Sequence, residues 1–229
     1  MFEKKILPLR NQIENENPMK KLLLLTTILL LGFAACSKDD DDPVNDPSTT
    51  DAGVVIDGVK WATRNVAMPG TFTNNPEDAG MFFQWNSNTA WLPVGDDPVS
   101  LPAGSTWQTT EQLAGDSWNN GRGPCPPGWR LPTREELESL NNTESAWVRE
   151  NEVNGRLFGT EPYQVFFPAR GFRLNTDGIF HGLYGLGYYW SASVDNERGA
   201  FSLFFFYRDS SVLHLNRANG FPVRCVAEN

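Results

Sequence analysis

Apolar and polar positions divide this 229-residue chain into stretches of different rhythm. Residues 1–18 are polar and mixed in charge. Met19-Lys20-Lys21 follows them, and from Leu22 to Ala35 only Thr26 and Thr27 interrupt an apolar run. Cys36-Ser37-Lys38 and four consecutive aspartates, Asp39 to Asp42, end it. A helix that crosses a bilayer core needs about 20 apolar residues, so the run is too short for a membrane span. A buried core helix would not carry charges at both edges. A basic head, a short apolar segment and a small-residue exit predict a secretory signal over 19–35. On that reading Met19 is the expected start and 1–18 an over-extended reading frame, with a long n-region as the alternative. Residues 36–52 carry no apolar period and are rich in Asp, Pro, Ser and Thr, which predicts a flexible acidic tether.

Beyond the tether, residues 53–229 have the length of one domain, and the pattern predicts strands far more than helices. Val54 to Ile56 and Val59 to Val66 flank Asp57-Gly58, a pair suited to the positive φ angles of a two-residue hairpin turn. Gly80 to Trp85 reads as a short buried strand. Asn86 to Asn120 is long, irregular and rich in Pro, Gly, Asp and Trp. Thr133-Arg134-Glu135-Glu136 is a capping box that opens one helix, with Leu137 and Leu140 on its inner face. From Arg156 onward an antiparallel meander is predicted, with strands at Gln164–Arg173, Tyr188–Val194, Ala200–Tyr207, Val212–Arg217 and Phe221–Val226. Arg208 to Ser211 closes a hairpin within it.

Composition narrows the function classes. All eight tryptophans lie in the domain, and of its 13 basic residues 12 are arginines, Lys60 being the exception. Against 19 acidic residues no basic stripe exists, which argues against nucleic-acid binding. An arginine surplus points to fixed, bidentate and stacked contacts inside a rigid domain. Cys36 directly after Phe33-Ala34-Ala35 resembles the lipobox of bacterial lipoproteins, which implies acylation of Cys36 and a lipid anchor in the membrane. The acidic run behind it resembles the export tag of surface lipoproteins of Bacteroidota, implying an outer-membrane, cell-surface location; a plain charged spacer is the alternative. Cys125 and Cys225 remain, and two cysteines of an exported domain most often pair. A disulfide across their 100-residue separation is expected to stabilise the fold by about 4–5 kcal/mol through loop-closure entropy.

Six blocks then occur in order: Val59 to Asn65, Gly80 to Trp85, Cys125-Pro126-Pro127-Gly128-Trp129-Arg130-Leu131-Pro132-Thr133 running on to Leu137, Phe167 to Arg173, Gly187 to Ser193, and Gly220 to Val226. Together they resemble the Fibrobacter succinogenes major paralogous domain over nearly all of 53–228. The resemblance implies an α+β, C-type-lectin-like fold: antiparallel strands, one or two short helices and a long irregular loop region. It also fits a Cys125–Cys225 disulfide tying the helical region to the last strand.

Candidate chemistry is sparse. Related formylglycine-generating enzymes use two cysteines near the C-terminus, where this chain has only Cys225. Glu161-Pro162-Tyr163 and Trp85-Asn86-Ser87 lack the third ligating residue of calcium-dependent lectins. Asp96-Asp97 offer oxygen ligands to calcium, but adjacent aspartates in a loop read as solvation; no metal and no cofactor is indicated. Glu77-Asp78 follow a turn and Glu135-Glu136 cap a helix, which accounts for both pairs without catalysis. His181 and His214 make no triad, and no enzyme is expected. Two readings stand. One is a lipoprotein that displays a non-catalytic binding module for glycans or proteins, with Trp91, Trp107 and Trp118 as platforms for sugar rings. The other is a structural or adhesive subunit of a surface assembly. The three tryptophans read equally well as pins holding their loop to the core.

Overall fold

The computed structural model describes residues 46–110, 115–118, 121–182, 185–195 and 198–228. The expected signal segment 19–35, Cys36 with its expected acylation, and the first part of the expected tether lie outside them. Along the chain run β1 (Val54–Ile56), β2 (Val59–Asn65), β3 (Phe83–Gln84), β4 (Ala90–Trp91), β5 (Ser100–Leu101), β6 (Trp129–Arg130) and the helix α1 (Arg134–Asn141). Then come β7 (Ser145–Glu150), β8 (Val153–Thr160), β9 (Tyr163–Pro168), β10 (Phe172–Arg173) and β11 (Phe180–His181). The last five are β12 (Gly187–Val194), β13 (Gly199–Phe205), β14 (Ser210–Asn216), β15 (Gly220–Phe221) and β16 (Arg224–Ala227).

The α+β, C-type-lectin-like expectation is overturned. Strands take 42% of the described residues and helix 5%, in one short helix, and the strands form several small antiparallel sheets. These are β1-β2-β16-β6, β11-β10-β15-β3, β12-β13-β14, β7-β8-β9 and the ribbon β4-β5. The physical reason is that only Thr133–Asn141 combines a cap with apolar positions one turn apart. Thr133 accepts from the Glu136 N–H, while the Glu136 carboxylate accepts from the Thr133 N–H at 2.7 Å. That carboxylate also accepts from both terminal Arg130 nitrogens, Nη2 at 2.7 Å and Nη1 at 2.8 Å. Leu137 and Leu140 are the helix's buried residues, as its spacing demands.

Two further expectations are corrected. The meander is split into separate sheets, because Ala169-Arg170-Gly171 breaks the expected strand Gln164–Arg173 into β9 and β10. The β7–β8 hairpin was not foreseen. Its turn, Asn151-Glu152, has positive φ at both residues (43° and 67°), the conformation usually signalled by glycine. Two residues within the stretch expected as tether, Ser48 and Asp51, make hydrogen bonds to the domain. The Asp51 side chain is buried and accepts from the Thr63 N–H at 3.0 Å and the Arg64 Nε at 3.1 Å, and the Phe72 N–H donates to the Ser48 carbonyl at 2.6 Å.

Apolar burial is concentrated in two large clusters, with a smaller third one of Phe82, Trp91 and Trp107. One surrounds Cys125 and Cys225 with Trp85, Trp118, Trp190 and Phe221. The other packs α1 through Leu137 and Leu140 onto Trp61, Phe158, Phe167, Tyr189 and Phe205. Cys125 and Cys225 are bonded, with Cα atoms 6.1 Å apart, beside the pairing of β6 with β16.

Candidate functional site

The arginine surplus acts through carbonyl groups more than through carboxylates. Arg173, Arg217 and Arg224 are among the largest fully buried side chains. Arg173 donates to the carbonyls of Leu92 (2.9 Å), Val94 (2.7 Å), Gly95 (3.2 Å) and Gly178 (2.6 Å). It thereby fixes a stretch of the long loop that has no strand to hold it. Burial pulls its guanidinium below the ordinary value, and the carboxylates of Asp96 and Asp97 pull the other way. Arg224 lies over Phe167 and donates to Asn65 Oδ1 at 2.9 Å and the Ala62 carbonyl at 3.1 Å. Burial lowers it to about 10 and raises its neighbour Tyr189 to about 12.

These polar anchors shape a cavity of about 590 Å³. Its apolar lining comes from Met68, Phe72, Met81, Pro93, Val94 and Leu101, and its polar lining from Thr73, Asn74, Asp78 and Arg170. Each wall is held from behind. Arg64 donates to the Thr73 carbonyl at 2.8 Å, and buried Asn65 donates to the carbonyls of Asp78 (3.1 Å) and Ala79 (2.9 Å). Arg173 holds the Pro93–Val94 side. Gly80 is the hinge of the opposite wall: its φ is +69°, and a Cβ there would lie 2.3 Å from the Val66 carbonyl oxygen. Asp78 accepts from the Asn75 N–H at 2.9 Å. Arg170 is different. Its Nε is buried without a hydrogen-bond partner, and no described carboxylate lies in ion-pair contact with it.

A second feature is a ladder of rings on β10, β11, β12 and β13 and on Phe206 and Tyr207, which follow β13. Centroids step from His181 to Phe172 (5.7 Å), to Tyr188 (4.8 Å), to Phe204 (4.9 Å), to Phe206 (5.8 Å) and to Tyr207 (5.5 Å). Tyr188 and Phe204 are direct cross-strand partners. The middle rings are half-buried, His181 is exposed and Tyr207 is 57% exposed. Arg208 lies 5.0 Å from the Tyr207 ring centroid.

The tryptophans expected to be sugar platforms are inside. Trp91 is 1% exposed, Trp107 8% and Trp118 3%. They do not share a face: Trp91 packs on Trp107 at 5.0 Å, whereas Trp118 packs on Trp85 at 5.5 Å. Trp107 Nε1 donates to the Asn175 carbonyl, and Gly178 gives its ring room, since a Cβ there would come within 2.8 Å of it. A loop short of backbone pairing is tied down by its largest apolar side chains, so the pin reading holds for all three. Asp96 and Asp97 are exposed, and among the described residues no three His, Cys, Asp or Glu side chains gather as a metal-holding group. Glu77 accepts from Asn151 Nδ2 at 2.7 Å, and Glu136 serves the helix cap.

Arg170 and the ring ladder were missed as site residues. Arg170 stands inside a block quoted for its resemblance, and the signal was an arginine between small residues with no acidic residue near it in sequence. Comparison of the chain with protein-family models, curated proteins and solved structures returns no match.

Proposed function

We propose that the chain is a lipoprotein acylated at Cys36, anchored in the outer membrane and displayed at the cell surface, whose domain is a non-catalytic module that binds glycans. The observation that carries this reading is the ladder from His181 to Tyr207. Sugar rings present flat C–H faces, which associate with aromatic surfaces, and polar edges that take hydrogen bonds. A row of rings about 5–6 Å apart, with Arg208 and His181 at its ends, supplies both. The ladder replaces Trp91, Trp107 and Trp118 in that role. The six sequence blocks keep the Fibrobacter succinogenes major paralogous domain as the proposed family, on their order and wording.

The test is a glycan array probed with the full chain and with its Tyr207→Ala and Phe206→Ala variants. The reading expects binding to a plant or host polysaccharide that falls in both variants. Silence across the array would favour an adhesive or structural subunit of a surface assembly, with the rings as its protein contact. Retention of the full signal by both variants would remove the ladder as the binding face.

A further inference from the structure

We propose that the 590 Å³ cavity beside Arg170 is a binding site for an amphiphilic monocarboxylate, which places its carboxylate on the Arg170 guanidinium and its apolar body against Met68, Phe72 and Met81. The site is built from other residues than the ring ladder and stands whether or not the ladder binds sugars.

Three observations carry it. First, the Arg170 Nε has been taken out of water with nothing to replace the water. A buried donor left unmatched costs about 1–3 kcal/mol, more when charged. Arg173, by contrast, reaches four carbonyls. Second, the backbone that carries the arginine is fixed at the cavity wall. The residues on both sides are tied through their backbone N–H groups, Ala169 to the Asn154 carbonyl and Gly171 to the Leu186 carbonyl, each at 2.8 Å. Third, the cavity is preformed, because Arg64, Asn65 and Arg173 hold its wall carbonyls from the core side. Its volume lies in the range of small-molecule sites, about 300–1,000 Å³.

Charge and lining select the ligand class. One guanidinium matches one carboxylate in a planar two-point contact. Asp78 lines the same cavity, and its negative charge disfavours a doubly charged phosphate. Six apolar side chains around one cation suit a ligand with a single charged end. A free organic acid and the C-terminus of a peptide ending in an apolar residue share this chemistry.

Full-length protein in lipid nanodiscs, titrated calorimetrically, decides the matter. The probes are 3-phenylpropionate, its uncharged amide, phenyl phosphate, and a short peptide ending in phenylalanine with a free or an amidated C-terminus. We expect 3-phenylpropionate to bind more tightly than its amide and than phenyl phosphate. Arg170→Gln should weaken the carboxylate about 10–100-fold, the loss of a charge-assisted contact, and leave the amide unchanged. Tighter binding of the free-ended peptide than of 3-phenylpropionate assigns the site to peptide ends; the reverse assigns it to free acids. Should Arg170→Gln not fold, Val94→Glu serves, because Val94 lines the cavity yet is 61% exposed. Its new charge should weaken the carboxylate and spare the amide. Absence of binding by every probe at millimolar concentration, equal affinity for acid and amide, or undiminished carboxylate binding in the variant that folds would each overturn the proposal.

Discussion

Replacing Arg173 by lysine keeps the charge and removes the fork, so it separates two reasons why a fold would bury an arginine. The guanidinium reaches four carbonyls that diverge in space, those of Leu92, Val94, Gly95 and Gly178. An ammonium on a flexible stem can satisfy one or two of them. Val94 and Gly95 are exposed, so water can take over their carbonyls, while Gly178 is buried and Leu92 half-buried. Losing about two charge-assisted hydrogen bonds at about 1.5 kcal/mol each, in a site that disfavours a strongly hydrated ammonium, predicts a loss of about 3 kcal/mol. With a urea dependence of about 2 kcal/mol per molar, the midpoint should fall by about 1.5 M. Tryptophan emission reports the transition, since all eight indoles lie in this domain. Arg173→Met in parallel removes charge and fork together. A lysine variant within about 0.25 M of the wild-type midpoint would refute the argument, because charge alone would then suffice.

Three other outcomes follow from the same structure. Cys125→Ala with Cys225→Ala should cost about 4–5 kcal/mol in urea titration, the entropy of freeing a loop of 100 residues in the unfolded chain. Glu136→Gln should destabilise at neutral pH and progressively less in acid. Burial pushes the Glu136 carboxyl up, but the Arg130 guanidinium and the Thr133 N–H outweigh it and hold it below its ordinary 4.5. A depressed carboxyl stabilises above its unfolded value and loses that contribution as pH falls through the folded one. The wild-type and variant curves of stability against pH should therefore converge below 4.5. Gly80→Ala should lose at least about 1–2 kcal/mol from the left-handed backbone alone, and more from the carbonyl its Cβ would meet; thermal melting measures it.

Legibility in the sequence followed the range of the forces involved. Local signals were readable: Asp57-Gly58 sets the register Ile56↔Val59, and Thr133 with Glu136 caps α1. The Cys125–Cys225 bond followed from counting. What escaped was set by tertiary context. Asn151-Glu152 turns with positive φ at both residues although neither is glycine, and the six-residue-pair register of β7 on β8 holds it there. Trp91, Trp107 and Trp118 share a loop in sequence but enter two different clusters. Tyr188 and Phe204 meet only through a register that no local pattern announces.

The arginine surplus joins the fold to the site. Among the fully buried side chains, arginine stands beside tryptophan and phenylalanine, and its partners are mostly backbone carbonyls. That is how a domain whose described residues form 16 short strands and one helix can hold long connections still: a fork reaches several carbonyls that no ladder supplies. Stacking on Phe180, Trp85 and Phe167 lowers the cost of bringing those charges inside. Against that background a buried guanidinium nitrogen with neither carbonyl nor carboxylate stands out. Arg224 has one such nitrogen, but its Nε and Nη1 are bonded and it lines no described cavity. Arg170 has no such bonds among the described residues and lines the 590 Å³ cavity, which is why the search for a ligand belongs there.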